Sequence, residues 1–475
     1  MTGAALAERA GRLLDDAASV FRGHERAEAW LRRHRERLAE PLRLAVTGPP
    51  GAGRSTVVSA LIGEDVAPVV VAGAPGAPVW FHDGPRPLAR VIRPAAPPWS
   101  APMQRATPGH VVAGPAEDWA GDEDWAGAEI SQVVVEWPCR ALRHTRLLDA
   151  GSLETDDADA TLYVTRHLGD DDLATLQRAH LGRATGALPV HLMVVLSRAD
   201  EAAGGRPDAL LAARRIARRR RKEPQVAALC QDVLALSAQT ALAGRSLREP
   251  EFATVAALAA LPRADADAAL LSTDRFTGAD LPVPVQQRAD LLRRLGLGGV
   301  RLATTLVRTG SRNRAALAAQ LVRQSGLTEL QASVGDLFTA RRDVLKARTA
   351  LIGLDQLLRA ESRPQAAYLA AELDRLVAGA HEFREVRLLA ALRTGRVTLP
   401  AELAVQARRL AGGEGAAHAE RLGLPAETPP EQLWPVAAEA AGRWHEQTRA
   451  ASTAAGRRAA EVVLRSCTAI LNDLG

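Results

Sequence analysis

The sequence predicts an α/β unit, a mainly parallel sheet with helices on both faces, joined to a large helical bundle. Three observations predict it. Between residues 42 and about 300, short apolar runs alternate with helical segments, the pattern of parallel strands connected by crossover helices. Beyond about residue 300 nearly every segment has helical periodicity. The composition is 47% hydrophobic but only 3% aromatic, and its wealth of Ala and Leu favours helix. A chain of 475 residues is long enough for two or three full cores.

The elements follow in order. Residues 3–39 read as helix: Leu6, Leu13, Leu14, Ala17 and Phe21 share one face, the charged segment HERAEAWLRRHRERLAE follows, and Pro41 ends the run. LRLAVT (42–47) is a strand and STVVSALIG (55–63) a helix. PLARVIR (87–93), ISQVVVEW (130–137), RLLDA (146–150), VHLMVVLS (190–197) and DVLALSA (232–238) are further strands, with helical segments between them. Leu330, Leu337, Val344, Leu351 and Leu358 recur every seven residues, which predicts one long helix. Its stripe is narrow, because the second set, Leu327 and Val334, continues as Arg341, Arg348 and Asp355. Further helices are expected at 364–395, 400–412 and 433–473, with breaks at GGEG (412–415) and AETPPE (426–431).

A net charge of +5 is compatible with anionic lipid, nucleic acid or nucleotide and selects none of them. Cys139, Cys230 and Cys467 have no metal-binding spacing and are odd in number, which suits a reducing compartment. The N-terminus MTGAALAERAGRLLDD has no apolar run of signal-peptide type. The longest apolar stretch, LPVHLMVVL (188–196), is far short of the roughly 20 residues that span a bilayer. A cytoplasmic protein with at most peripheral membrane contact is expected. ARRIARRRRK (213–222) carries seven Arg and Lys in ten residues, a solvated helix face or a contact for lipid headgroups. It has no interleaved aromatics for stacking on bases, and no nucleic-acid partner is expected. DWAGDEDWAG (118–127) repeats an acidic unit and reads as a surface loop.

The chemistry concentrates in AVTGPPGAGRST (45–56), which has Gly48, Gly53 and Ser55 at the spacing of a phosphate-binding loop between a strand and a helix. Backbone N–H groups from Gly51, Ala52, Gly53, Arg54, Ser55 and Thr56 are the expected phosphate donors, since Pro49 and Pro50 sit early. Ser55 is placed to hold Mg²⁺. Where such loops carry Lys, this one carries Arg54. Its guanidinium is longer and planar, and fits poorly where a compact ammonium bridges two phosphates.

SRAD (197–200), after an apolar strand, resembles the guanine-recognition motif of GTPases. Ser197 opens it, Arg198 would lie over the base, and Asp200 would accept from the guanine N1–H and amine, which adenine does not offer. LSAQT (236–240) resembles the loop that completes base recognition, with Ser237 and Ala238 in place and Gln239 where Lys is usual. LLDAGS (147–152) stands where GTPases have Asp-x-x-Gly, whose Asp reaches Mg²⁺ through water and whose Gly senses the γ-phosphate: Asp149 is retained, Gly151 comes one residue early, and Ser152 holds the glycine position. Between Ala60 and Trp99 there is no Ser or Thr, so VVVAGAPGAPVW (69–80) has no hydroxyl with which to order a γ-phosphate, Mg²⁺ and an attacking water.

The loop together with VWFHDGP (79–85), VEWP (135–138), SRADE (197–201), LLSTDRF (270–276), LPVPVQQRADLLRRLGLGGVRLA (281–303) and SGLTELQASVGDLFTARRDVLKARTAL (325–351) resembles the bacterial dynamin-like GTPases. It is most similar to the shorter of the paired isoniazid-inducible members in actinobacteria, over nearly the whole chain. The resemblance implies a P-loop GTPase domain at 41–305, N-terminal helices at 1–40 packing into the neck and stalk, and a helical neck and trunk at 306–475. It implies GTP or GDP and Mg²⁺ as ligands, a paralogous dynamin-like protein as hetero-oligomeric partner, and an anionic membrane surface at the inner face of the cell membrane. It implies membrane remodelling or support of the division septum; a stress-response membrane role is equally compatible. Three departures accompany it: Arg54, a switch Thr position that falls near Pro75, and Asp149-Ala150-Gly151-Ser152. The turns AESRPQ (360–365) and TGRVTLP (394–400) offer no strongly apolar membrane loop.

These departures favour a protein with weak or lost GTP hydrolysis that works with an active paralogue. A slow GTPase completed in trans and a scaffold that binds no nucleotide stay open. An ATPase of AAA+ type, suggested by GPPGAG, lacks the Asp-Glu pair after an apolar strand that it requires.

Overall fold

The computed structural model describes residues 3–475 apart from 68, 71–76, 95, 108–109, 114–129, 154–157, 182–188, 207 and 362. The hydroxyl-free stretch around Pro75 and the acidic repeat at 118–127 thus lie wholly or mostly outside the described residues.

The strands are β1 (Leu42–Thr47), β2 (Val69–Val70), β3 (Val79–Asp83), β4 (Leu88–Arg93), β5 (Ala96–Thr107), β6 (His110–Ala113), β7 (Gln132–Trp137), β8 (Thr145–Asp149), β9 (Ala160–Thr165), β10 (Leu192–Leu196) and β11 (Val233–Ala235). Among the described residues they form one sheet in the order β11-β10-β9-β1-β8-β3-β7-β4-β5-β6-β2. From β11 to β8 every pairing is parallel. Beyond β8 the sheet is mixed: β3 runs antiparallel to β8, and β4 antiparallel to both β7 and β5. The β4–β5 connection is too short for a parallel crossover, which needs a dozen or more residues.

The sequence pattern passed over ATLYVT, which is β9, directly beside β1. All six of its residues are buried, a continuous run without alternation. Its two faces serve different cores: Leu162 and Val164 join one cluster, Tyr163 the other. β10 does the same, with Met193 and Val195 on one face and Leu192, Val194 and Leu196 on the other.

The helices of the first half are α1 (Gly3–Val20), α2 (Glu25–Arg37), α3 (Arg54–Ile62), α4 (Asp170–Leu181), α5 (Ala202–Gly205), α6 (Ala209–Arg220), α7 (Pro224–Leu229), α8 (Ala238–Arg245), α9 (Glu249–Ala260), α10 (Arg263–Ala269), α11 (Thr273–Gly278) and α12 (Val285–Arg308). The second half holds α13 (Arg314–Ser325), α14 (Leu327–Leu337), α15 (Arg342–Ala360), α16 (Ala367–Gly379), α17 (Glu382–Thr394), α18 (Ala401–Leu410), α19 (His418–Leu422), α20 (Pro430–Ala450) and α21 (Ala454–Leu474).

One apolar core runs without interruption from the N-terminal helices into the sheet. Leu6, Leu14 and Phe21 of the N-terminal segment, Leu345, Leu351 and Leu354 of α15, and Leu42, Leu44 and Val57 around β1 and α3 belong to it. A separate core closes the far end of the bundle, with Trp444 of α20 and Val463, Cys467 and Ile470 of α21 fully or nearly fully buried. All three cysteines are unpaired. No helix among the described residues is long and apolar enough to cross a membrane.

The seven-residue stripe does not lie on one helix. Leu330 and Leu337 are on α14, Val344 and Leu351 on α15, and the chain turns between them at Phe338 through a short 3₁₀ segment, Thr339–Arg341. An ideal helix drifts about 20° per heptad from such a stripe. The turn resets the register, so Leu330, Leu337, Val344 and Leu351 all stay buried while the Phe338 ring is fully enclosed. The expected helices at 364–395 and 433–473 are each two helices as well, broken at Ala380–His381 and at Ala451–Thr453. The Thr453 hydroxyl caps α21 by accepting from the Gly456 amide at 3.0 Å.

A buried polar set crosses the bundle at the first of these breaks. His381 Nε2 lies 2.9 Å from Ser466 Oγ, which donates to Glu385 Oε1 at 2.6 Å, and Arg421 pairs with the same carboxylate. Burial pushes the His381 imidazole down to about 4 although Glu385 pulls the other way. The fold therefore holds the neutral ring. The stability this contributes is present above the unfolded-state value near 6.5 and is lost as pH falls toward about 4. Thermal melts across that window are expected to lose on the order of 3 kcal/mol, and His381→Gln is expected to flatten the slope. An unchanged slope in the variant would contradict the assignment.

Candidate functional site

β1 is the second-to-last strand of the parallel half and delivers its chain into the loop 48–53, after which α3 begins at Arg54. The loop is seated by Gly48. Its φ of +141° and its approach to β9 leave no room for a side chain: a Cβ there would meet the Val164 carbonyl oxygen at 2.0 Å. Gly51 and Gly53 also take positive φ, +73° and +88°, and a Cβ on either would touch nothing within 4 Å. The loop is therefore bound tightly on the sheet side and open above. The Ala52 amide, expected among the phosphate donors, instead donates to the Pro49 carbonyl at 3.2 Å and closes a turn around the two prolines. The first-turn amides of α3, from Arg54 onward, have no acceptor within a helix and carry its positive end toward the opening.

The Arg54 side chain folds back under the loop. Its Nη1 donates to the Gly48 carbonyl, and its Nε stands 3.7 Å from Asp149 Oδ1. The Ser55 hydroxyl donates to the other oxygen of the same carboxylate, Oδ2, at 2.6 Å. Gly151 lies alongside, close enough that a Cβ would come within 4.0 Å of the guanidinium. Burial pushes the Asp149 carboxyl above the usual carboxylate range, while the Ser55 hydrogen bond and the Arg54 charge hold it down.

The residues present fit Mg²⁺. The Ser55 hydroxyl gives its hydrogen to Asp149 and keeps its lone pairs, so Ser55 would hold the ion directly and Asp149 would reach it through water. Among the described residues no cluster of three or more His, Cys, Asp or Glu could hold a metal.

The second group of expected residues gathers at the end of β10. Arg198 adopts a left-handed backbone, φ +50°, and its Nη2 reaches the Gly51 carbonyl at 3.4 Å, while Nη1 pairs with Glu201 at 2.9 Å. It thus bridges SRAD to the phosphate-type loop. Asp200 is nearly buried, and burial raises its carboxyl while a hydrogen bond from Ser237 holds it down. Ser237 caps α8, whose first residue is Ala238. The hydroxyls of Thr47, at the end of β1, and of Ser197 are buried with no hydrogen-bond partner among the described residues. Both stand at the carboxyl ends of parallel strands, β1 and β10, which flank β9, where α/β sheets bind ligands.

One contributor was missed by the motif reading. α12 breaks at Gly296, φ +66°, and leans its glycine turn on SRAD: a Cβ on Gly298 would meet the Asp200 carbonyl oxygen at 2.6 Å. Gln239, which stands where Lys is usual, donates to the Arg293 carbonyl at 2.9 Å and so ties α8 to the same turn. The run LGLGG (295–299) carries this signal, but its partner lies about a hundred residues away in sequence.

No family model matches the chain. The isoniazid-induced protein IniC from two strains of Mycobacterium tuberculosis is 34% identical over 404 residues, which is 82% of this chain and 81% of the relative. Two chains from solved structures, described as an oligomerised bacterial dynamin pair providing a mechanism for long-range sensing and tethering of membranes, align over 99% of this chain and 75% of theirs. Their identities are 12% and 10% and their TM-scores 0.29 and 0.28, a likeness too low to bear on this fold.

Gly48→Ala is expected to unseat the loop and destabilise the protein by more than about 2 kcal/mol, because both the positive φ and the backbone contact oppose a Cβ. Melting temperature and amide exchange over residues 48–56 measure it. A variant with unchanged protection there would refute the seating described.

Proposed function

Since the chain belongs to the dynamin-like family of isoniazid-induced proteins, we propose that it works at a membrane surface, binding guanine nucleotide with weak or lost hydrolysis beside an active paralogue. The observation that carries this is the seating of Arg54 on Gly48 and Asp149. The loop keeps its glycine geometry and its open upper side, which suits phosphate binding, yet the side chain that would bridge β- and γ-phosphates is turned to the floor. Each missing electrostatic contact to a transition state costs on the order of 10²–10³ in rate. Arg54, the altered Asp149–Ser152 segment and the hydroxyl-free stretch 60–99 together leave turnover near background.

Guanine is the base this reading assigns. Asp200 offers a carboxylate to the N1–H and amine of guanine, and Arg198 sits between it and the loop at 3.4 Å from Gly51. The nucleotide-binding set is Gly48, Gly51, Gly53, Arg54, Ser55, Thr56, Asp149, Gly151, Ser197, Arg198, Asp200, Ser237 and Ala238, with Ala52 contributing to the loop's turn. The division of labour is a G domain over 41–305 with helices 1–40 and 306–475 forming neck and trunk. In the cell this is a pseudo-GTPase of the inner membrane face, a hetero-oligomer with its paralogue, remodelling membrane in support of the actinobacterial division septum.

Calorimetry with GTP, GDP and ATP tests the reading. GTP and GDP are expected to bind and ATP to bind far more weakly, with Asp200→Asn weakening GDP by roughly 10- to 100-fold. A parallel turnover assay is expected to stay near background. Robust Mg²⁺-dependent hydrolysis by the isolated chain would overturn the proposal, a rate appearing only on mixing with the paralogue would indicate completion in trans, and no binding would indicate a scaffold.

A further inference from the structure

We propose that the broken turn of α12, at residues 295–299, fixes Asp200 for guanine, with Gln239 as the positioning residue that holds the turn in place. The inference rests on the nucleotide reading above and goes beyond it by naming what aims the base-selecting carboxylate.

Backbone strain is concentrated around Asp200. Among the described residues the only non-glycine positions with positive φ are Arg198 and Ala203, both at +50°, and they flank it. Gly204 and Gly205 continue the left-handed path at +77° and +66°. L-residues adopt this backbone at a cost and keep it only where their surroundings hold it. Here the hold is Arg301, in the segment of α12 that follows the break. Its guanidinium donates to the carbonyls of Gly204 and Gly205 at 3.2 and 2.5 Å and to that of Leu270 at 2.6 Å.

The segment of α12 before the break is fastened separately. The break at Gly296 leaves the carbonyls of the preceding turn without acceptor roles inside the helix. Gln239 satisfies one of them, donating from Nε2 to the Arg293 carbonyl at 2.9 Å. Between these two fastenings the turn lies against Asp200 itself. A Cβ on Gly298 would meet the Asp200 carbonyl oxygen at 2.6 Å, and one on Gly296 would stand 3.8 Å from Asp200 Oδ2 and 3.2 Å from Gln239 Oε1. Two glycines thus let the helix backbone approach the carboxylate directly. Ser237, which caps α8, hydrogen-bonds the same carboxylate, so Asp200 is held from α8 and from α12 together. A carboxylate selects guanine by offering both oxygens to the N1–H and the amine at once, which requires that its orientation be fixed. Gln239 contributes to this without charge, so it does not compete with the base for the Asp200 carboxylate.

The test is calorimetry of the full chain with GDP and with inosine diphosphate, which lacks the exocyclic amine, joined to amide exchange over residues 294–300. The variants are Gln239→Leu, which keeps bulk and removes the donor, and Gly298→Ala, which wedges the turn off Asp200 at a position without positive φ. The wild type is expected to prefer GDP by about tenfold or more. Both variants are expected to lose about tenfold in GDP affinity, to change inosine diphosphate affinity by less than about threefold, and to exchange faster over 294–300. A merely structural role would weaken both ligands in proportion or leave both unchanged. Either result keeps the preference for GDP, and would overturn this inference while leaving the nucleotide reading standing. Equal wild-type affinities for the two ligands, or no GDP binding, would overturn the two together.

Discussion

The joint around Asp159 holds the helical and sheet parts of the molecule in one position. Its carboxylate is fully enclosed and pairs with Arg37, in the last turn of α2, at 3.6 Å. It also accepts from the amide of Arg43, the second residue of β1, at 2.9 Å. Lys346 of α15 completes the joint by donating to the carbonyls of Leu38 and Glu40, the short link between α2 and β1, at 2.6 and 3.1 Å. Burial raises the Asp159 carboxyl even so, and Arg37 and Arg43 pull it down. A charge enclosed in this way is tolerated only while its partners stay in place, and losing one costs about 3–5 kcal/mol. The end of α2, the start of β1, the edge of β9 and the middle of α15 are therefore set together or not at all.

That anchoring reaches the candidate site through one strand. β1 is pinned at its first residues by Asp159 and ends in the loop whose Gly48 rests on β9, the strand that Asp159 precedes. Between those ends Leu42, Leu44 and Val46 belong to the core shared with α1, α3 and α15. The other side of the site is set by a different core, which joins one face of β9–β11 to α12, and α12 itself packs on α8 and α9. The loop leans on the first core and Asp200 on the second, and Arg198 crosses between them. The site is thus assembled at a seam between two packed faces of one sheet, with the α12 glycine turn closing the Asp200 side.

Much of the fold and of the candidate site is legible in short stretches of the sequence. The loop, SRAD and LSAQT were each found from a few adjacent residues, because a glycine turn before a helix and a polar tetrapeptide after an apolar strand are local patterns. The strand β9 was not found, since a strand buried on both faces has no alternation to read. The stripe from Leu330 to Leu358 was read with the right inward residues and the wrong continuity: spacing records which side chains are buried, and Phe338 turned the chain without disturbing that record.

By itself, the sequence determined that this is an α/β unit with a phosphate-type loop on a helical bundle, and which family it belongs to. Those conclusions rest on periodicity and short-range spacing, which the backbone imposes within a few residues. Only the tertiary structure decided where the Arg54 charge goes, that Ser55 spends its proton on Asp149, and that α12 closes over Asp200. Each of those depends on groups about a hundred residues apart meeting at distances of a few ångströms, and such meetings are set by how the sheet, its two cores and the buried Asp159 joint pack together.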